Sequence, residues 1–533
     1  IPVAWTDVPL SVVKDISSGE TLDSDPREFH SVGNLTYFAA DTLGTGLELW
    51  RTDGTEAGTI LVKDIWPGGP GSEPNEFIGY NGIALFEADD GVHGEELWKT
   101  DGTEAGTEMV KDIYAGSEGS GPRYFFEYDN AIYFCARTVA EGFELWKTDG
   151  TEAGTVLVKD LDPGTDSGLP YFHIIYDGQM LLGVTTSSDG RELWKSDGTA
   201  AGTVQVKDIN AGSSGSSPGQ MAVYNGEAFF SARDATHDSE LWKTDGSGPG
   251  TVLVKDINPG GDYGSPGLLT VSQGLLFFHA DDGTNGFELW KSNGATGGTV
   301  MVRDINPGAE YSSPGDLLDL DGTLYFSAQS AAEGRELWKS DGTLAGTTLV
   351  KDIRPGAYSS EADEILAYEG MLLFSAGDGT SGNELWKSDG TGPGTVLVKD
   401  IYPGAAGSAP QLLELRSDGI IFRAGHPDYG REPWISDGTE AGTRLLKDLE
   451  ARTPSAQIAS LTPLGEMVLF RAQTDDYGAE LWGSDGTPGG TQMLMDIRAG
   501  GQSSNPVQLT ALGGTVLFVA DDGTHGPELW ETD

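Results

Sequence analysis

Apolar and polar residues alternate along short segments of the chain, and no segment of useful length repeats with the period of a helix. Residues 229–234 read FFSARD, and residues 240–244 read ELWKT. Alternation of this kind is typical of β-strands, because successive side chains point to opposite faces of a sheet. The pattern predicts an all-β chain of many short strands, with Phe230 and Trp242 facing a neighbouring sheet.

The strand pattern repeats every 48 residues. Its clearest marker is Glu-Leu-Trp followed by Asp-Gly-Thr. The tryptophans of the eleven repeats are Trp50, Trp98, Trp146, Trp194, Trp242, Trp290, Trp338, Trp386, Trp434, Trp482 and Trp530. A phenylalanine stands 12 residues before each of them, except that Leu182 takes its place in one repeat. Such a regular period indicates one structural unit repeated along the chain, each copy burying its apolar faces against its neighbours.

Turn signals divide each repeat into four strands. Asn225-Gly226 is a strong signal for a two-residue hairpin turn. Residues 101–107, Asp-Gly-Thr-Glu-Ala-Gly-Thr, predict a second tight reversal. Residues 258–266, NPGGDYGSP, form a longer stretch with a proline near each end, which is too long for a tight turn. We expect this stretch to cross to the next sheet.

A four-stranded antiparallel unit of this length has the size of a β-propeller blade. The chain begins with SVVKDI at 11–16, which corresponds to a fourth strand, and ends on ELWETD, which corresponds to a third. Pairing 11–16 as the outermost strand of the last blade, which 506–533 complete, leaves no exposed sheet edge. We therefore predict that residues 1–533 form a single closed β-propeller domain of eleven blades. Two smaller propellers in tandem, or an open superhelical stack, are the alternatives.

Charge and composition exclude several classes of partner. The chain has 83 acidic and 32 basic residues, a net charge of −51, and such a surface repels nucleic acid and anionic lipid. No apolar run reaches the roughly 18 to 20 residues of a membrane-spanning helix. The single cysteine, Cys135, excludes an intrachain disulfide and a cysteine-based zinc site. We expect a monomer that neither binds nucleic acid nor inserts into membranes.

The phrase Glu-Leu-Trp-x-x-Asp-Gly-Thr resembles the repeat of the bacterial ELWxxDGT family, and the likeness covers essentially the whole chain. The resemblance implies a secreted or cell-surface bacterial repeat protein. It implies no catalytic residue at any position of this sequence.

The loop between the second and third strands differs most among the repeats. Residues 89–94 read DDGVHG, residues 233–238 read RDATHD and residues 281–286 read DDGTNG, whereas the turn DGTEAGT is nearly constant. Neutral drift explains such variation, and so does a ligand surface built on a rigid scaffold. The candidate binding residues in these loops are Asp89, Asp90, His93, His237, Asp281, Asp282, Asp521, Asp522 and His525.

A metal site in these loops is one hypothesis. The three histidines occupy the same place in repeats that are not adjacent, so they cannot share one ion. The paired aspartates are suited to local Ca²⁺ binding with backbone carbonyls, but no complete D-x-D-x-D-G loop is present, and turn capping is the competing interpretation. No other cofactor is predicted, and no GxSxG, HExxH, P-loop or GxGxxG motif stands in a suitable context.

These observations favour a non-enzymatic extracellular scaffold that binds a glycan or a protein through its variable loops. Two alternatives remain at this point. One is a hydrolase or lyase acting on polysaccharide, for which so acidic a chain offers many carboxylate pairs without singling one out. The other is a purely structural surface component.

Overall fold

The computed structural model describes residues 11–14, 24, 26–42, 44–53, 55, 57–68, 70–260, 263–416, 419–428, 430–446 and 456–532. Within these ranges the chain is all-β, apart from a single turn of 3-10 helix at Thr296–Gly298. No helix of the described residues has the length and apolar character needed to cross a membrane.

The strands form eleven four-stranded antiparallel sheets. This is the fold of an eleven-bladed β-propeller, so the predicted fold class is confirmed. In each blade the four strands lie side by side in the order first, second, third and fourth.

The strand bounds follow the 48-residue repeat. The first strands are β2 (Arg27–Val32), β6 (Asn75–Tyr80), β10 (Arg123–Tyr128), β14 (Pro170–Tyr176), β18 (Gly219–Tyr224), β22 (Gly267–Ser272), β26 (Gly315–Leu320), β30 (Asp363–Tyr368), β34 (Gln411–Arg416), β38 (Ala459–Leu464) and β42 (Val507–Leu512). The second strands are β3 (Leu35–Thr42), β7 (Ile83–Asp89), β11 (Ala131–Ala136), β15 (Gln179–Thr186), β19 (Glu227–Ala232), β23 (Leu275–Asp281), β27 (Thr323–Ser330), β31 (Met371–Gly377), β35 (Gly419–His426), β39 (Met467–Thr474) and β43 (Thr515–Asp521).

The remaining strands complete the blades. The third strands are β4 (Gly46–Thr52), β8 (Glu95–Thr100), β12 (Glu144–Thr148), β16 (Gly190–Ser196), β20 (Glu240–Thr244), β24 (Phe287–Ser292), β28 (Gly334–Ser340), β32 (Asn383–Ser388), β36 (Gly430–Ser436), β40 (Gly478–Ser484) and β44 (Pro527–Thr532). The fourth strands are β5 (Ile60–Lys63), β9 (Glu108–Lys111), β13 (Val156–Lys159), β17 (Val204–Lys207), β21 (Val252–Lys255), β25 (Val300–Arg303), β29 (Thr348–Leu349), β33 (Val396–Lys399), β37 (Arg444–Leu445), β41 (Thr491–Met493) and, for the last blade, β1 (Ser11–Lys14).

The last blade is built from both ends of the chain, as its sequence predicts. Strand β1 pairs antiparallel with β44, and Ser11 lies opposite Glu531 and Val12 opposite Trp530. This pairing completes a sheet of the order β1-β44-β43-β42. The third strand of the last blade is therefore not an open edge.

The chain divides into two compact units. The terminal unit comprises residues 1–157, 414–437 and 441–533, and the middle unit comprises residues 158–413 with 438–440. The middle unit holds the five blades from β14 to β33, and β1 and β44 pair within the terminal unit.

The predicted aromatic core lies between consecutive blades. Phe230 of β19 lies opposite Trp242 of β20, and the two side chains are 0% and 4% exposed. They pack in one buried cluster with Leu193 and Val206 of the preceding blade. Each sheet therefore buries its faces against its neighbours, because a single four-stranded sheet has no core of its own.

The recurring Asp-Gly-Thr phrase has a local duty in the turn between the third and fourth strands. The Oδ1 atom of Asp101 accepts hydrogen bonds from the backbone N–H of Thr103 at 2.9 Å and from its hydroxyl at 2.7 Å. The Thr103 hydroxyl in turn accepts the N–H of Gly106 at 3.0 Å. At Gly106 a Cβ atom would lie 2.1 Å from Asp101 Oδ1, so this position requires glycine. The motif therefore stabilises its own turn through hydrogen bonds among its own residues.

The glutamate of Glu-Leu-Trp is a buried anchor for the crossover that follows it. Glu192 is 0% exposed, and its carboxylate accepts the N–H groups of Ile209, Asn210 and Ser216 at 2.9, 3.0 and 2.7 Å. The Ser216 hydroxyl donates a fourth hydrogen bond at 2.5 Å. Burial raises the pKa of Glu192, and these hydrogen bonds act in the opposite direction. The glutamate of this repeated phrase therefore has a structural role.

Candidate functional site

The predicted binding residues of the variable loops form hydrogen bonds to the backbone of their own turns. In the loop after β7, Asp89 Oδ1 accepts the N–H of Gly91 at 2.7 Å, and Asp90 Oδ1 accepts those of Val92 and His93 at 2.9 and 2.8 Å. The imidazole of His93 lies 2.7 Å from Asp90 Oδ2, and this hydrogen bond raises the His93 pKa. These contacts are what the turn-capping interpretation requires.

The other candidate loops repeat this arrangement. Asp282 accepts the N–H groups of Thr284 and Asn285, and Asp522 accepts that of His525 and lies 2.7 Å from its ring. Asp281 and Asp521 cap the glycines two residues further on. For His237 the partner is Asp234, which the sequence interpretation did not include. Asp521 also forms an ion pair with Arg498, on the crossover from the preceding blade.

The described residues contain no group of three His, Cys, Asp or Glu side chains placed to hold a metal ion. Ligand binding by the variable loops and local Ca²⁺ binding remain predictions, since the contacts above concern only the turns themselves.

A second set of variable residues lies on the second strands, opposite the beginnings of the first strands, and sequence reasoning missed it. The residue after the core phenylalanine faces the first residue of the blade's first strand, as His279 faces Gly267 and Ser327 faces Gly315. Its neighbours on both sides are nearly constant, whereas it changes chemical class from blade to blade: Ala39, Glu87, Cys135, Gly183, Ser231, His279, Ser327, Ser375, Arg423, Arg471 and Val519. A variable position between two constant ones was the available signal.

In the terminal unit, three carboxyl groups lie close together around one of these variable residues, Glu87. Glu87 of β7 is only 9% exposed, and its carboxyl group is hydrogen-bonded to Glu95 with Glu76 close by. Burial and then these two neighbouring charges raise the pKa of Glu87 to about 8, against a smaller opposing effect of Arg123. The Arg123 guanidinium lies 3.9 Å from the centre of the Phe143 ring. Glu87 therefore carries a proton at neutral pH.

This raised pKa predicts an unusual pH dependence of stability. A carboxyl group whose pKa is raised on folding contributes stability below its unfolded pKa, near 4.5, and that stability is lost as the pH rises through about 8. Glu87→Gln stays neutral, so its melting temperature should exceed that of the wild type increasingly from pH 5 to pH 9. Thermal unfolding across this range measures the difference. Glu104→Gln, at an exposed turn residue, is the control, and parallel curves for Glu87→Gln and wild type would contradict the raised pKa.

In the middle unit, three consecutive first strands begin with glycine. These are Gly219, Gly267 and Gly315. A Cβ atom on Gly267 would lie 2.5 Å from His279 Nε2, and one on Gly315 would lie 2.7 Å from an Arg335 nitrogen. The absent side chains leave room for His279 and Arg335 at this end of the blades.

A polar network joins the blade that begins at Gly315 to the next blade, which begins at Asp363. Arg335 Nη2 donates to the Ser327 hydroxyl at 2.7 Å, and this hydroxyl donates to Asp316 Oδ2 at 3.3 Å. Asp316 is in turn hydrogen-bonded to Asp363, the first residue of the next blade's first strand. Both aspartates are exposed residues. Burial of its carboxyl group and then the Asp363 charge raise the pKa of Asp316, whereas Ser327 and Arg335 act in the opposite direction.

A cavity of about 360 Å³ lies beside this network. His279 Nδ1 lies 3.4 Å from the Pro314 carbonyl oxygen, and burial lowers the His279 pKa. The ring of Phe287 packs edge-on against His279, with centroids 5.3 Å apart, and Tyr311 packs on Phe287 at 5.6 Å. The cavity is lined by Ser265, His279, Phe287, Ser313, Pro314, Gly315 and Arg335.

Two further cavities adjoin the aspartate pair. One of about 500 Å³ includes Asp316 in its lining, together with residues of β18 and β22. The other, of about 110 Å³, is lined by Glu361, Asp363 and Glu364 among others. Asp316 therefore belongs to the lining of one recess and Asp363 to the lining of another.

No protein-family model and no curated protein matches the chain. Solved structures do resemble it. A GH74 enzyme of Niastella koreensis is 12% identical with a TM-score of 0.27, and the match covers 97% of this chain and 85% of that one. A mutant puromycin hydrolase is 13% identical with a TM-score of 0.26, covering 78% and 60%. Prolyl oligopeptidase B of Galerina marginata is 10% identical with a TM-score of 0.33, covering 67% and 56%. The chain thus spans less than two thirds of the length of the puromycin hydrolase and of the prolyl oligopeptidase.

At these identities the likeness concerns the fold alone. The proteins themselves are described as a hydrolase, an oligopeptidase and a GH74 enzyme. The sequence-based prediction of a non-enzymatic binding scaffold is wrong on this comparison. The sequence pattern favoured a scaffold because no carboxylate pair stands out among its many acidic residues. The carboxyl pair that differs from the repeat appears only at the strand ends.

Proposed function

We propose that the protein is a hydrolase that cleaves a polysaccharide, with Asp316 and Asp363 as its catalytic carboxyl groups. The observation that carries this proposal is the contact between the two carboxyl groups, which come from adjacent blades and border cavities on either side. Membership of the ELWxxDGT family and a location outside the bacterial cell remain predictions beside it.

The chemistry needs one carboxyl group that holds a proton and one that has lost it. In this proposal Asp316, whose pKa is raised by burial of its carboxyl group and by the Asp363 charge, is the general acid that donates a proton to the glycosidic oxygen as the bond from that oxygen to the anomeric carbon breaks. The Asp363 carboxylate takes a proton from a water molecule, whose oxygen bonds to the anomeric carbon. One proton is given and one is taken, and the two sugar products differ from the polymer by one water.

The positions of the two groups permit this reaction. When a carboxylate activates the attacking water directly, as here, the acid and the base commonly stand about 6.5 to 9.5 Å apart. Asp316 and Asp363 are in contact, but both are exposed and extend from different strands. The proposed reaction requires their side chains to separate when a sugar unit binds between them. Catalytic hydrogen bonds commonly reach their working geometry only with substrate bound.

A carbohydrate substrate is supported by the aromatic residues of this surface. Tyr263, Tyr311 and Tyr358 lie on the crossovers of the middle unit and are 59%, 52% and 67% exposed. Exposed aromatic rings offer flat apolar faces with a polar edge, which suits the mixed surface of a sugar ring. Three such tyrosines on neighbouring crossovers offer stacking surfaces for several sugar units, which favours a polymer over a small sugar.

The test is hydrolysis of a panel of neutral and acidic polysaccharides by the full chain, measured as new reducing ends. Asp316→Asn should lower the rate by about 10² to 10⁴, because it removes the general acid. The matched control is Asp321→Asn, in the hairpin turn of the same blade, where other blades have asparagine, as at Asn225. The proposal fails if the wild type releases no reducing ends from any member of the panel. It also fails if Asp316→Asn retains the wild-type rate.

A further inference from the structure

We propose that the cavity between His279, Phe287 and Arg335 is a subsite for the carboxylate-bearing sugar unit of the substrate, a uronic acid residue. This inference rests on the proposed function, because it names the substrate class of the same site. The cavity lies beside the Asp316–Asp363 pair, and Arg335 joins the two through Ser327.

The charge of the cavity differs from that of its surroundings. The chain carries a net charge of −51, and the two other cavities near the aspartate pair have acidic residues in their linings. None of the seven residues that line this cavity is acidic, and Arg335 is its cationic member. A guanidinium in an otherwise uncharged recess attracts an anionic group, and its planar donors match a carboxylate in a two-point hydrogen bond.

The guanidinium is held in place with donors to spare. Its Nη1 donates to the Ser313 carbonyl oxygen at 3.0 Å and its Nη2 to the Ser327 hydroxyl at 2.7 Å. An arginine side chain has five N–H donors, so two contacts within the described residues leave others for a ligand. The fixed orientation lowers the entropy that a ligand would lose in ordering this side chain.

The opposite wall of the cavity suits the rest of a sugar ring. The hydrogen bond from His279 Nδ1 to the Pro314 carbonyl oxygen places the imidazole proton on Nδ1 and leaves Nε2 as an acceptor for a sugar hydroxyl. Phe287 presents an apolar ring beside it. Arg335, His279 and Phe287 together offer an anion site, a hydroxyl acceptor and an apolar surface.

The position of the His279 ring in the cavity wall depends on the absence of a side chain at Gly267. A Cβ atom there would lie 2.5 Å from His279 Nε2 and 3.1 Å from Cδ2, so alanine must displace the ring. The equivalent glycine of the preceding blade, Gly219, has more space, since a Cβ would lie 3.6 Å from the Ser231 hydroxyl. These two glycines form a matched pair for an experiment.

The test is calorimetric titration of the full chain with a trisaccharide of galacturonic acid and with the neutral galactose trisaccharide. We expect the acidic sugar to bind at least about tenfold more tightly than the neutral one. Arg335→Met should weaken binding of the acidic sugar about 10- to 100-fold, because a charge-assisted hydrogen bond is lost. Arg233→Met is the control, since Arg233 also bonds a crossover carbonyl, that of Gly215, but lies outside this cavity.

A second pair of variants keeps the test valid if Arg335→Met fails to fold. Gly267→Ala should weaken binding of the acidic trisaccharide about tenfold, while Gly219→Ala should leave the affinity for this sugar unchanged. Equal affinity for acidic and neutral sugars overturns the inference. So does binding of acetate or inorganic phosphate as tight as that of the acidic trisaccharide, because that outcome indicates a general anion site.

The failure of this inference is separable from failure of the proposed function. Asp316→Asn should still bind the acidic trisaccharide, since the aspartate does not line this cavity. Tight binding without hydrolysis supports the subsite and removes the hydrolase proposal. Hydrolysis of neutral polymers without preference for the acidic trisaccharide supports the hydrolase proposal and removes the subsite.

Discussion

Replacing Trp242 with alanine will lower the free energy of unfolding by about 3 to 5 kcal/mol, the usual cost of removing a large buried side chain. Trp242 is 4% exposed and packs with Phe230 in its own blade and with Leu193, Val206 and Ile209 of the preceding blade. The lost indole leaves a cavity between two sheets whose backbones are held by their own hydrogen bonds, so the gap cannot close freely. Denaturant unfolding of the full chain measures the change.

Trp242→Phe separates packing from hydrogen bonding at the same position. The indole Nε1 of Trp242 is buried, and within the described residues it has no hydrogen-bond partner. Phenylalanine therefore loses part of the packing and no hydrogen bond, and we expect it to cost less than half as much as alanine. An unchanged unfolding midpoint for Trp242→Ala would mean that the stacked blades do not depend on this side chain. Equal costs for the two variants would mean that the Nε1 group matters more than the ring.

Replacing Glu192 with alanine will destabilise the protein by a similar amount, roughly 3 to 5 kcal/mol. The carboxylate satisfies three backbone N–H groups and one hydroxyl on the crossover between β17 and β18. Each buried donor left without a partner costs about 1 to 3 kcal/mol, although water entering the space offsets part of the sum. We expect the crossover to become the first site of proteolytic cleavage, because its backbone loses its fixed conformation.

Two variants show whether the hydrogen bonds or the charge are responsible. Glu192→Gln keeps the volume and one acceptor oxygen but places an NH₂ group toward backbone donors, so it should lie between wild type and alanine in stability. Glu310→Ala, at an exposed crossover residue, should change the unfolding free energy by less than about 0.5 kcal/mol. A Glu192→Ala protein as stable as Glu310→Ala would contradict the anchoring role.

The function was harder to predict than the fold, for a reason visible in single residues. The loops around His93 and Asp282 attracted attention because their residues are polar and vary, yet in the structure these side chains cap their own turns. Asp316 and Asp363 stand at the beginnings of strands, one blade apart, and no spacing in the chain marks them as partners. Sequence patterns detect residues that recur, whereas the candidate site consists of residues that depart from the repeat.

The sequence alone determined the architecture. The constant spacing of Trp50 to Trp530 set the number of blades, the Asp-Gly turns set the strand order, and the isolated strand at 11–16 predicted its pairing with the last blade. Those features are local or strictly periodic, so each can be read from neighbouring residues. Only the tertiary structure decided that Arg335, Ser327, Asp316 and Asp363 form one network beside His279. The stacking of consecutive blades places Asp316 beside Asp363, and this contact between strand beginnings of two blades depends on the tertiary structure, which no linear pattern records.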